Sequence, residues 1–105
     1  MTLTPSQIEV LARFDGWDWY FNVMAIVGKD GDDIAKQRVI KHAIKHITSP
    51  GVLIEMRLKI IERVKMLGRS QELYTPLFQL KDLILSGEYT AAAIKTSELI
   101  QKLEA

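Results

Sequence analysis

Apolar residues in this chain recur every three or four positions, and glycine, proline or a short polar cluster interrupts the recurrence at intervals. That period places apolar side chains on one face of an α-helix, and no run shows the period-two alternation of a half-buried strand. The pattern predicts an all-α, compact domain of about five or six short helices in antiparallel hairpins. Thr4-Pro5, with Gln7 three residues beyond Thr4, has the order of an N-cap, a first helical residue and a capping box. This first helix runs to about Phe14, and Asp15-Gly16 breaks it. The second spans about Trp17 to Val27 and ends in the loop Gly28-Lys29-Asp30-Gly31. Asp32 caps a third helix, which carries Asp33 in its first turn and continues to about Thr48. Ser49-Pro50 opens a fourth, which reaches Leu67 and is closed by Gly68. Ser70 is positioned to cap a fifth helix, with a restart at Thr75-Pro76 and an end at Gly87. A sixth starts near Tyr89 or Thr90 and reaches the C-terminus. Connections this short imply antiparallel neighbours, and 105 residues are the length of a single domain.

The helical wheels sort core from surface. On the third helix Ile40, Ala43, Ile44 and Ile47 share a face, with Arg38, Lys41 and Lys45 opposite and His42 beside them. The fourth has a stripe of Leu53, Met56, Ile60, Val64 and Leu67, and Leu58 and Met66 fall outside it. The sixth turns Ala92, Leu99, Ile100 and Leu103 inward and Ile94 the other way. The second is apolar nearly all round: Trp17, Trp19, Tyr20, Phe21, Val23, Met24, Ile26 and Val27. Such a helix is either central or shared with a partner.

Composition narrows the chemistry. With no cysteine, disulfides, thiolate catalysis and cysteine-based metal sites are excluded, and the chain fits a cytoplasmic setting. Met1 to Gln7 lack the basic start and apolar run of a signal peptide. The densest apolar stretch, Trp17 to Val27, is about half a bilayer span and carries Asp18 and Asn22, so no membrane anchor is expected. The formal net charge is +1, yet it is uneven. Between Ile34 and Arg69 nine basic residues stand against two acidic ones, a local +7. Arg38, Lys41, Lys45, Lys59, Arg63 and Lys65 are therefore candidate phosphate contacts. No helix-turn-helix spacing or aromatic-studded strand accompanies them, and solvated helix faces are the simpler explanation.

Gly87-Glu88-Tyr89-Thr90-Ala91-Ala92, with Leu99 beyond, resembles the hairpin turn of a tetratricopeptide repeat. The glycine ends one helix and the alanines let the next approach closely. Pro76 and Leu80 stand where that pattern wants an aromatic and a small residue, and no second copy follows at a period of about 34 residues. The likeness therefore implies an antiparallel helix pair.

Candidate site chemistry is sparse. His42 and His46 have the one-turn spacing of a metal-ligand pair, but Lys41 and Lys45 flank them and no acid accompanies them. Asp30, Asp32 and Asp33 around Gly31 lack the closing acid of a calcium loop and fit a helix N-terminus. No metal or cofactor is expected, nor a catalytic set, since no nucleophile–base pair or glycine-rich phosphate loop occurs. Arg57 falls among Leu53, Ile54, Ile60, Ile61 and Val64; a charge there snorkels, pairs with an acid such as Asp15 or Asp18, or marks an interface. The aromatics crowd at Trp17, Trp19, Tyr20 and Phe21, where three can share a face and Trp19 must point elsewhere. The leading expectation is a non-catalytic protein-interaction module that self-associates as a homodimer. Its contact candidates are Trp17, Trp19, Tyr20, Arg57, Leu58, Met66 and Ile94. The alternative is a nucleic-acid-associated regulator using the basic helices of residues 34–69.

Overall fold

In the computed structural model, which describes residues 2–105 and every side chain among them but that of residue 30, the backbone forms α-helices and no strand. These are α1 (Pro5–Asp15), α2 (Asp18–Asp30), α3 (Asp33–Ile47), α4 (Pro50–Met66), α5 (Ser70–Leu85) and α6 (Tyr89–Glu104). No described helix is long and apolar enough to cross a membrane.

The ends follow the local chemistry. At α1 the Gln7 N–H donates to Thr4 Oγ1 at 3.2 Å, and the Thr4 N–H donates to Gln7 Oε1 at 2.9 Å. Leu3 and Ile8, at the staple positions on either side of that cap, are both buried. Gly16 ends α1 with φ of 68°, a left-handed conformation that costs glycine nothing. The Asp32 carboxylate accepts from the Ala35 N–H at 3.1 Å and so caps α3. Ser49 occupies the N-cap of α4 without a side-chain cap bond. Ser70 is the first residue of α5 rather than its cap, a position taken by Arg69.

The fifth helix does not restart at Thr75-Pro76: α5 is one element with Pro76 inside it. Proline there removes one intrahelical hydrogen bond and crowds the carbonyl of Glu72, a cost of about 3 kcal/mol. The stripe Leu73, Leu77, Leu80 and Ile84 is buried on both sides of the proline, and that burial keeps the helix whole. Pro76→Ala should therefore raise stability by about 1–2 kcal/mol, the helical gain less the entropy returned to the unfolded chain. Urea denaturation followed by circular dichroism checks this. An unchanged or lower midpoint would mean that Pro76 has a packing role outweighing its backbone cost.

The core lies where α4, α5 and α6 pack on one another and α1 lies against α6. Its largest fully buried side chains include Leu53, Met56, Ile60, Leu80, Leu99 and Ile100. Small residues let α6 approach its neighbours closely: Ala92, Ala93, Thr96 and Ser97 are all buried. The two hydroxyls stay satisfied by donating to their own helix, Thr96 to the Ala92 carbonyl at 2.8 Å and Ser97 to the Ile94 carbonyl at 2.7 Å. Arg69 ties the α4–α5 turn to the end of α6 by donating to the carbonyls of Lys102 and Leu103 at 3.2 and 3.1 Å. Its bond to Glu72 draws that carboxyl below its usual pKa.

Beside this core stands the hairpin of α2 and α3. α3 contacts α1 and α4, and α2 lies chiefly along α3. The second helix is thus peripheral rather than central. The dimensions agree, at 46 × 28 × 20 Å. The radius of gyration is 14.4 Å, against about 13 Å for an ordinary domain of this length. The accessible surface of 6595 Å² exceeds the roughly 6000 Å² that its mass implies.

Candidate interaction surfaces

α2 is anchored at one end. The Trp17 ring is buried at its N-cap, and the Trp17 Nε1–H donates to the Asp15 carboxylate at 2.8 Å. Lys59 of α4 pairs with the same carboxylate. Tyr20, one turn on, is buried too, and Phe21 is half-buried against the core. Three aromatics thus face inward and Trp19 does not. The structure therefore places Trp17 and Tyr20, both interface candidates, in the core, where their exposed area is too small to meet a partner.

Burial has an electrostatic consequence at Tyr20. Desolvation, with a smaller contribution from the Glu9 carboxylate, raises its phenol above the usual pKa of 10. A pKa raised in the folded state means that the folded protein holds this proton more tightly than the unfolded chain does. The associated stability is intact below about pH 10 and is lost as pH rises through the folded value. Tyr20→Phe should flatten that alkaline loss, as seen in urea midpoints compared between neutral pH and pH above about 10. An identical alkaline slope in the variant would remove Tyr20 as its source.

Trp19 lies over α3. Its ring stacks on Trp17 at 5.8 Å between centroids and meets the His42 ring edge-on at 5.3 Å. His46 meets Trp17 edge-on at 4.7 Å. The two histidines thus form the α3 side of an aromatic seam holding the hairpin together, a role that their spacing alone did not reveal. Among the described residues no three metal-ligating side chains converge. Of the acids near Gly31, Asp32 serves as the cap and Asp33 lies in the first turn of α3, and the side chain of Asp30 lies outside the described residues.

The outer side of α2 is uncovered. Trp19, Val23 and Ile26 follow at spacings of four and three, so they form one stripe, and they are 37%, 39% and 65% exposed. Ile34, across the loop on α3, is exposed as well. Trp19 is the only member of this stripe among the interface candidates.

A second apolar surface lies between α4 and α5, where a hollow of about 240 Å³ is walled by Ile61, Val64, Tyr74, Leu77 and Phe78. The rings of Tyr74 and Phe78 stack with centroids 6.3 Å apart, and both are exposed. Neither was singled out in the sequence, because reading a restart at Thr75-Pro76 splits the pair that one continuous helix aligns. Arg57 sits at this hollow and pairs with neither Asp15 nor Asp18; its Nε–H donates to the Leu77 carbonyl at 3.0 Å. Leu58 is exposed on α4 nearby in sequence. Met66 is exposed elsewhere, beside Phe14 and Arg63. Leu67, read as the last core residue of its stripe, lies past the end of α4 and is exposed. Ile94 packs half-buried against the core, which takes it out of the spare apolar surface.

Set beside known protein families, characterised proteins and solved structures, the chain matches none of them.

Not all of the basic residues share one face. Arg38, Lys41 and Lys45 are exposed on α3. Lys59 is paired with Asp15, Arg63 borders the hollow of Phe14 and Met66, and Lys65 lines the α4–α5 hollow. On α4, Lys59 and Arg63 are one turn apart and border the same hollow, whereas Lys65 lines the other one.

Proposed function

We propose that this chain is a non-catalytic protein-interaction module that self-associates as a twofold dimer through the outer stripe of α2, in a cytoplasmic setting that suits a cysteine-free chain. The carrying observation is that α2 has one main intramolecular neighbour, α3, and leaves Val23 and Ile26 exposed, with the outer part of Trp19 beside them. Alternating spacings of four and three are what two helices need to interlock side chains along a common seam. A twofold contact covers the same stripe on both copies at once, so one short helix is sufficient to specify it. The buried Trp17 and Tyr20 support the stripe from behind and hold its orientation.

The absence of native cysteine makes a direct test simple. Val23→Cys and Ile26→Cys, introduced singly, should give disulfide-linked dimers under mild oxidation, since a seam brings equivalent Cα atoms to within about 7 Å at one or both positions. Gln79→Cys on α5 should remain monomeric. Cross-linking at Gln79 with none at either α2 position would refute the α2 contact.

A further inference from the structure

The groove between α4 and α5 lies on different helices from the proposed dimer seam and has a chemistry of its own. We propose that it receives an acidic amphipathic helix of a partner protein. Three features of the groove carry this.

The first is shape. On α4, Ile54, Leu58, Ile61 and Lys65 follow at spacings of four, three and four, so they form one stripe. On α5, Tyr74 and Phe78 are one turn apart. The α4 stripe extends about 16 Å, or three turns of helix, at 1.5 Å per residue. A helix laid in such a groove presents an apolar anchor every three or four residues, and the hollow of about 240 Å³ beside Tyr74 and Phe78 accepts the largest of them.

The second is charge. Arg57 and Lys65 are the charged residues lining the hollow, and both are cationic. Among the described residues neither belongs to an ion pair, whereas Lys59 and Arg69 do. The third is the disposition of Arg57. Its Nε–H is fixed on the Leu77 carbonyl, which holds the guanidinium at the groove. Its two terminal nitrogens donate to no acceptor of the chain among the described residues. A planar donor fork, pre-oriented and partly desolvated beside apolar walls, matches a carboxylate arriving on an apolar helix.

The test uses fluorescence anisotropy with two labelled synthetic helices of about fifteen residues. Both carry leucine at the anchor positions; one has glutamate flanking that face and its twin has lysine at the same places. The glutamate peptide should bind at least about tenfold tighter than its twin, and its binding should weaken as salt rises. Tyr74→Ala with Phe78→Ala should cut that affinity about tenfold or more; both residues are exposed, so the helical signal should persist. Lys65→Glu, also exposed, should shift preference toward the lysine peptide. Equal binding of both peptides, binding indifferent to Tyr74 and Phe78, or preference for a single-stranded oligonucleotide of similar length would overturn the proposal. So would loss of self-association in the Tyr74/Phe78 variant, because a second copy would then fill the groove. Carrying out the titrations in a Val23→Lys/Ile26→Lys background keeps the result separate from the fate of the α2 dimer.

Discussion

Leu80→Ala is expected to destabilise the fold by about 3–4 kcal/mol, the cost of removing a fully buried leucine from a close-packed site. Leu80 is completely buried on α5, the helix that packs on both α4 and α6. The loss combines the transfer of the deleted methyl groups with the cavity left behind, which packed helices close only in part. A domain of this size has about 5–15 kcal/mol in total, so the variant should melt roughly 15 °C lower or more. Leu85→Ala, five residues on in the same helix, supplies the contrast. Leu85 is 74% exposed, and its truncation should change stability by no more than about 0.5 kcal/mol. Thermal melts and urea titrations of the two variants measure both. A small loss at Leu80, or equal losses at the two sites, would mean that the core is not centred between α4, α5 and α6.

Val23→Lys combined with Ile26→Lys should weaken self-association at least about 100-fold, corresponding to two contact residues each contributing roughly 1.5–2 kcal/mol. Both side chains are exposed in the single chain, so the substitutions remove little from the monomer's own packing. In a twofold contact each introduced ammonium lies near its mate, and like-charge repulsion adds to the lost apolar area. Trp19→Ala should weaken association as well, with the helical signal largely retained. Its ring also stacks on Trp17 and meets His42, so that variant should lose some folding stability too. The lysine pair separates interface from fold more cleanly. Unchanged association in that double variant would move the dimer contact off α2.

The helices were legible in the sequence because their ends are chemically marked. Thr4-Pro5, Gly16, Asp32, Ser49-Pro50 and Gly87 each fall within a residue or two of an observed boundary. Pro76 was misleading, since local cost argued for a break and only the burial of the stripe through it decided otherwise. The wheels separated Trp19 from Trp17, Tyr20 and Phe21, as a helical period must. They could not say whether the all-round apolar second helix is central, because that depends on which helices surround it. Arg57 shows the same limit: its place among apolar neighbours was evident, and its partner, the carbonyl of Leu77 twenty residues on, is a tertiary fact. The α4–α5 groove was invisible for that reason. Its two walls lie in separate helices, and the stacking of Tyr74 on Phe78 depends on α5 being continuous.

The claim that the α2 stripe is covered by a second copy is tested most directly by sedimentation equilibrium of the unmodified chain and the Val23→Lys/Ile26→Lys variant over a wide concentration range. The unmodified chain should move from the 12.0 kDa monomer to twice that mass as concentration rises, with the variant remaining at the monomer mass. A single 12.0 kDa species for the unmodified chain up to high micromolar concentration would contradict the account.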